Sequence, residues 1–254
     1  MKETIFRKLK DIEAAEGVRI LYCAEAGSRA WGTHSVDSDY DVRFVYLRTP
    51  EYYWRLDKTS DVIEWQLDDV LDINGWDLKK ALSLLHNSNP ALFEWNGSPV
   101  VYRHTTAWKS VQAVMPHYFM PKTALYHYYG IAKRTFLGEL QQEQVKLKRY
   151  FYVLRPLLAC RWIAEQQTPP PVRLAELTES CLDPAMRPTV EELLHLKALS
   201  GEKDVLPRQD ALCDYLQSLL TETENRLSVM PAVPPKPWQE LNELFVSLVK
   251  ETMI

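Results

Sequence analysis

Hydrophobic and polar residues alternate at several places early in the chain. Residues 18–24 (VRILYCA), 41–47 (DVRFVYL) and 61–67 (DVIEWQL) read as strands, and 70–73 (VLDI) as a short return strand. The period changes over 75–86, where Leu78, Ala81, Leu82 and Leu85 recur at helical spacing and give one apolar face. Asn74 is the expected N-cap of that helix, Asp77 falls in its first turn, and Asn89-Pro90 ends it. Beyond about residue 104 the strand signals stop. Helical patterns cover roughly 121–138, 143–167, 188–200, 207–229 and 236–252. Leu212, Tyr215, Leu216 and Leu219 line one face in the fourth, and Trp238, Leu241, Phe245 and Leu248 in the last. The pattern predicts an α+β module over 1–110 and an all-helical module over 111–254, joined near SPVVYRHTT.

Composition narrows the class. A chain of 254 residues, 46% hydrophobic and 25% charged, is ordinary globular material with enough apolar mass for a large core. The net charge of -4 lacks the global basic field of proteins that coat long nucleic acid. Cys23, Cys160, Cys181 and Cys213 are scattered and form no CxxC pair, so a disulfide framework is disfavoured and a reduced cytoplasm is expected. The segment MKETIFRKLK has no apolar signal core, and no run of about 18 apolar residues predicts a membrane span. The six histidines show no metal-ligand spacing.

The chemistry concentrates in GSRAWGTHSVDSDYDVRFVY, residues 27–46. Side chains two apart on a strand share a face, so Asp39, Asp41 and Arg43 point one way and Val42 and Phe44 the other. Two carboxylates at one point repel each other, and a hard divalent cation with oxygen ligands offsets that repulsion. The Ser-Asp-Tyr-Asp run is also turn-rich, which is the plainer use of such aspartates. Upstream, Gly27-Ser28 follows a strand and opens a short helix. Glycine lets a phosphate approach the backbone, and Ser28 adds a hydroxyl donor. Arg29 and Arg43 either reach a phosphate or neutralise the acidic pair, and both options stand.

This Gly-Ser and Asp-x-Asp arrangement resembles the signature of the polymerase-β-like nucleotidyltransferase superfamily. It is most similar to the RlaP-type branch, predicted nucleotidyltransferases associated with RNA repair genes. The segments 72–95, 148–163 and 168–177 support that branch, so the resemblance covers roughly 18–180 and leaves the last seventy or so residues without a motif. It implies an N-terminal nucleotidyltransferase-type mixed sheet with helices, and a helical domain contributing to a nucleotide and acceptor cleft. It implies three catalytic, metal-holding carboxylates: Asp39, Asp41 and a third on a later strand. Leu71-Asp72-Ile73 fits that context, Glu64 competes with it, and Asp68, Asp69 and Asp77 are further alternatives. Gly27, Ser28 and Arg29 would bind the nucleotide.

A basic helix at 146–156 extends this expectation. Lys148, Tyr152 and Arg155 share a face, beside an apolar stripe of Leu147, Phe151 and Leu154, and Pro156 inside the pattern is expected to kink the helix. Together with the family's basic helix, this assigns Lys148 and Arg155 to the triphosphate and Tyr152 to the pocket lining. The expected function is transfer of a nucleoside monophosphate from a nucleoside triphosphate, ATP among them, to an acceptor hydroxyl, with two Mg²⁺ ions (or Mn²⁺) and release of pyrophosphate. The acceptor is open: an RNA end, a protein hydroxyl or a small molecule. A module of the same fold that binds nucleotide or regulates without turnover is the alternative, and a structural interaction protein is a third.

Overall fold

The computed structural model describes residues 1–57, 59–66, 70–199, 201 and 204–251. In chain order the elements begin with α1 (Lys2–Glu16), β1 (Arg19–Glu25), α2 (Gly27–Trp31), β2 (Tyr40–Leu47), α3 (Pro50–Tyr53), β3 (Val62–Gln66) and β4 (Leu71–Asp77). They continue with α4 (Leu78–His86), α5 (Pro90–Asn96), β5 (Val101–His104) and α6 (Thr106–Val114). The remainder is α7 (Pro121–Glu139), β6 (Gln144–Lys146), α8 (Leu147–Gln166), α9 (Leu174–Cys181), α10 (Arg187–Leu199), β7 (Val205–Pro207), α11 (Asp210–Val229) and α12 (Gln239–Lys250).

The chain forms two units. One comprises 1–26, 39–118 and 235–254; the other comprises 27–38 and 119–234. The fold class is the expected α+β with a helical C-terminal part. The units differ from a single cut after residue 110: the junction falls at 118/119, the 27–38 segment packs with the helical unit, and 235–254 returns to the first. Sequence patterning reports which residues are buried, not which neighbours bury them, so neither excursion was visible in it.

The first unit is built on a five-stranded sheet of order β3-β4-β2-β1-β5. β2 and β4 run parallel, while β1 is antiparallel to both β2 and β5. Alternation over Asp41–Phe44 sends Val42 and Phe44 into the core, where they meet Ile20, Ile73 and the α1 stripe of Ile5, Leu9 and Ile12, and beyond Phe44 the strand is buried on both faces. Gly17 ends α1 in the left-handed conformation at φ 60°, which glycine adopts without strain. The parallel register runs to Tyr46↔Asp77, so β4 extends through Asn74, the expected cap. Asp77 is the true N-cap of α4, its Oδ1 accepting the Lys79 N–H at 2.8 Å, and Asn89 caps α5.

The second unit is a helical core drawn chiefly from α7, α8 and α11, with Leu147, Phe151 and Leu154 fully buried as expected. α8 runs unbroken past Pro156. A two-stranded pairing of β6 and β7 was not expected, since both strands are only three residues long. No described helix is long and apolar enough to cross a membrane.

Gly75 faces Phe44 across the parallel pair, and a Cβ there would lie 2.2 Å from the Phe44 ring. That ring is fully buried and cannot retreat. Gly75→Ala is therefore expected to lower unfolding free energy by about 1–3 kcal/mol, the usual cost of overpacking, as measured by urea denaturation.

Candidate active site

Asp41 and Asp72 are the second residues of β2 and β4, and the parallel register sets them directly opposite each other. Residues paired in register share a sheet face, so Asp41, Arg43, Asp72 and Asn74 stand opposite the face that carries Val42, Phe44 and Ile73. Arg43 joins the two carboxylates. Its Nη2 donates to Asp41 Oδ1 at 2.9 Å and to Asp72 Oδ2 at 2.8 Å, while Nη1 donates to the Val42 and Asp72 carbonyls. Burial raises the Asp41 pKa above its ordinary value. The Arg43 guanidinium pulls it back, and the charges of Asp72 and Asp39 push it up again. Asp39 is exposed at the entrance to β2.

The structure separates the candidates for third carboxylate. Glu64 pairs in register with Asn74, one step further along the same face, and accepts an Asn74 Nδ2 hydrogen bond at 3.3 Å. Asp77 lies at the far end of β4 and is committed to capping α4. Asp68 and Asp69 lie outside the described residues. Asp72 is the one that faces Asp41.

Sequence reading passed over Glu25, the last residue of β1. Its carboxylate is only 1% exposed, accepts the Asp41 N–H at 2.8 Å, and accepts the Tyr102 hydroxyl. Next to it, the Ala26 N–H donates to the Asp41 carbonyl at 2.8 Å. The backbone of Asp41 is thus fixed through both its donor and its acceptor. An acidic residue closing an otherwise apolar strand was the available signal.

In the helical unit, Gly27 begins α2 at φ 57°, and the Ser28 carbonyl accepts the Thr33 N–H at 2.9 Å. Arg29 Nη2 donates to the Ser38 carbonyl at 2.7 Å, which ties the segment's start to its end. Trp31 meets the Tyr152 ring edge-on at 5.3 Å. The Arg155 guanidinium stacks over Trp31 at 4.6 Å, and its Nε donates to the Val172 carbonyl at 3.0 Å. Arg155 is 1% exposed, which corrects its expected contact with a triphosphate: its helical position falls on the side of α8 that packs against Trp31 and residue 172. Lys148 and Tyr152 are half-buried in the first turns of α8. The His34 pKa is lowered by burial and by the nearby charges of Arg29 and Lys197.

Among the described residues no three of His, Cys, Asp or Glu are close enough to enclose one metal ion. The donor chemistry of Asp39, Asp41 and Asp72, oxygen only and negatively charged, suits a hard divalent cation. In this arrangement Arg43 supplies the positive charge between two of them. A cavity of about 440 Å³ in the first unit, lined by residues that include Tyr52, Arg55, Asp61 and Lys80, contains none of the three.

The mixed sheet thus carries Asp-x-Asp at the entrance to one strand and an aspartate opposite it on the neighbouring strand. A family model described as RlaP, the RNA repair pathway DNA polymerase beta family, matches residues 1–247, and the chain belongs to that family. It is thereby one of the polymerase-β-like nucleotidyltransferases. It is 39% identical to YcgL of Bacillus subtilis (strain 168) over 253 residues, 99% of this chain and 97% of that protein. A solved nucleotidyltransferase-like protein from Exiguobacterium sibiricum 255-15 is 14% identical, with 96% of this chain and 89% of that one covered and a TM-score of 0.30. That last likeness is too remote to carry weight.

Because the folded-state pKa of Asp41 is raised, the folded chain keeps a proton that the unfolded chain has released, and between the two values each rise in pH costs stability. Asp41→Asn removes that cost. The melting temperature of Asp41→Asn relative to wild type is expected to rise as pH is taken from about 3 to about 7. A difference that stays flat or falls contradicts the assignment.

Proposed function

We propose that the chain is a magnesium-dependent nucleotidyltransferase that moves a nucleoside monophosphate from a triphosphate to an acceptor hydroxyl and releases pyrophosphate. The observation that carries this reading is the pairing of Asp41 and Asp72 in parallel register on one face, with Asp39 two residues before Asp41. Two Mg²⁺ ions, or Mn²⁺ in their place, would be held by Asp39, Asp41 and Asp72, and would supply Lewis-acid charge at the phosphates and at the attacking oxygen. Asp72 is assigned to the acceptor side, where its carboxylate takes up the hydroxyl proton. Glu25 holds the backbone of Asp41 in place. Gly27 and Ser28 bind the β- and γ-phosphates, as the family motif implies, and Arg29 is assigned to the nucleotide beside them. Lys148 meets the triphosphate as a point charge and Tyr152 lines the pocket. Arg155 acts through Trp31 instead of on phosphate.

The test is incubation of the full chain with each α-labelled nucleoside triphosphate and Mg²⁺, with RNA, protein and small-molecule fractions offered as acceptors. Asp39→Asn and Asp41→Asn are each expected to abolish label transfer and pyrophosphate release while circular dichroism is unchanged. Asp72→Asn should lower turnover more than triphosphate affinity. An active Asp72→Asn beside an inactive Glu64→Gln moves the third carboxylate to Glu64. Binding of triphosphate with no magnesium-dependent release of pyrophosphate from wild type favours a nucleotide-binding module without turnover.

Lys148→Ala is expected to weaken binding of a non-hydrolysable triphosphate by about 1.5–3 kcal/mol, the range for a hydrogen bond to a charged group. Calorimetric titration with Mg²⁺ present measures it, and unchanged affinity returns Lys148 to a solvated helix face.

A further inference from the structure

Two cations are almost wholly buried in the helical unit, Arg155 at 1% exposure and Lys197 at 2%, and the second has no part in the function proposed above. Both reach the 27–38 segment, one at each end. Arg155, on α8, lies over Trp31 at the end of α2. Lys197, on α10, donates its Nζ to Ser35 Oγ at 2.9 Å. Ser35 is the hub of a small polar knot. Its Oγ donates to Asp37 Oδ1 at 2.9 Å, lies 3.0 Å from Ser38 Oγ, and its N–H donates to Ser38 Oγ at 2.9 Å. Ser35 and Ser38 are themselves 1% exposed. Just beyond α10, a Cβ on Gly201 would sit 3.2 Å from Asp37 Oδ2, so the chain after Lys197 also closes on this knot.

Removing an ammonium from water costs several kcal/mol, and an apolar side chain of the same volume would fill the space more cheaply. What Lys197 adds is direction. It fixes one oxygen, Ser35 Oγ, and through it the turn that hands the chain to Asp39. At the other end, Arg155 and Tyr152 fix Trp31, four residues after Gly27.

We propose that Lys197 is a positioning residue for the nucleotide-binding segment: from a helix that carries no motif of its own, it holds Ser35–Ser38 so that Gly27–Arg29 and the approach to Asp39 keep one conformation. Arg155 does the same at the Trp31 end. The role of this held segment in binding triphosphate rests on the nucleotidyltransferase reading; the holding itself does not.

The experiment uses the full chain and Lys197→Met, which keeps the unbranched apolar stem as far as Cε and removes the ammonium. Amide hydrogen exchange followed by mass spectrometry should show peptides within 27–38 exchanging at least tenfold faster in the variant. Peptides from β1 and β4 should be unchanged. Calorimetric titration with a non-hydrolysable triphosphate and Mg²⁺ should show affinity reduced fivefold or more. Unchanged exchange in 27–38, or a uniform increase over the whole chain, overturns the proposal. Faster local exchange with unaltered triphosphate affinity overturns its link to nucleotide binding. If wild type binds no triphosphate, the nucleotidyltransferase reading fails while the exchange result still decides whether Lys197 holds the segment. Should Lys197→Met not fold, Ser35→Ala removes the acceptor of the same hydrogen bond and is expected to give the same local increase.

Discussion

Like charges in register constrain everything else in the sheet unit. A parallel pair of strands sets Asp41 against Asp72, and the sheet geometry allows neither to turn away. The chain places Arg43, the next residue on the same face, where a single nitrogen reaches both. The opposite face must then be anchored firmly, because any slip of one residue would bury the carboxylates and expose the core. Phe44 against Gly75, and Val42 against Ile73, provide that anchor on the buried side. Glu25 fixes the remaining freedom by holding the Asp41 N–H. A charge arrangement that opposes folding locally is thus maintained by packing two residues away.

The helical unit faces a similar problem with opposite sign. Lys197 and Arg155 are cations out of water, and each is directed at a particular group of the 27–38 segment. In both units the ionised side chain acts less as a source of stability than as a pointer. Exposed ion pairs such as Arg55 with Asp57 can form in many geometries and specify little. A buried cation with a defined acceptor specifies one.

Much of this was legible in the sequence, and the limits have physical reasons. Period-2 alternation over Asp41–Phe44 gave β2 and its two faces, because the half-buried start of the strand must alternate, while its end is buried throughout. The five helices expected beyond residue 121 were found to within four residues at each end, with β6 taking the start of the second, whereas α1 over Lys2–Glu16 was not expected. The start of α4 was placed three residues early because Asn74 and Asp77 are both good caps, and only the pairing of β4 with β2 decides between them. Asp72 was the first choice for third carboxylate, but its register with Asp41 is a long-range fact that no local pattern contains. Arg155 was assigned to phosphate because helical spacing places it beside Lys148 and Tyr152; that spacing does not tell a helix face turned to solvent from one covered by a tryptophan. Lys197 gave no signal, since a lysine in RPTVEELLHLKAL reads as an ordinary surface charge.

The order of segments also determines what can be separated. The sheet unit is completed by 235–254, where Trp238 stacks on His86 at 3.6 Å, His86 Nε2 bonds the Lys236 carbonyl at 2.8 Å, and Phe245 meets Tyr53 edge-on. The helical unit is completed by 27–38, which lies in the sequence between β1 and β2. The chain therefore passes between units at 26/27, 38/39, 118/119 and 234/235. A fragment ending near residue 110 would keep all three aspartates but lose the Trp238 and Phe245 contacts from one unit, and would strand 27–38 without Lys197 or Arg155. Each unit is thus completed by a stretch of chain that the other separates from its remainder in sequence, so neither is whole in a fragment cut at a single point.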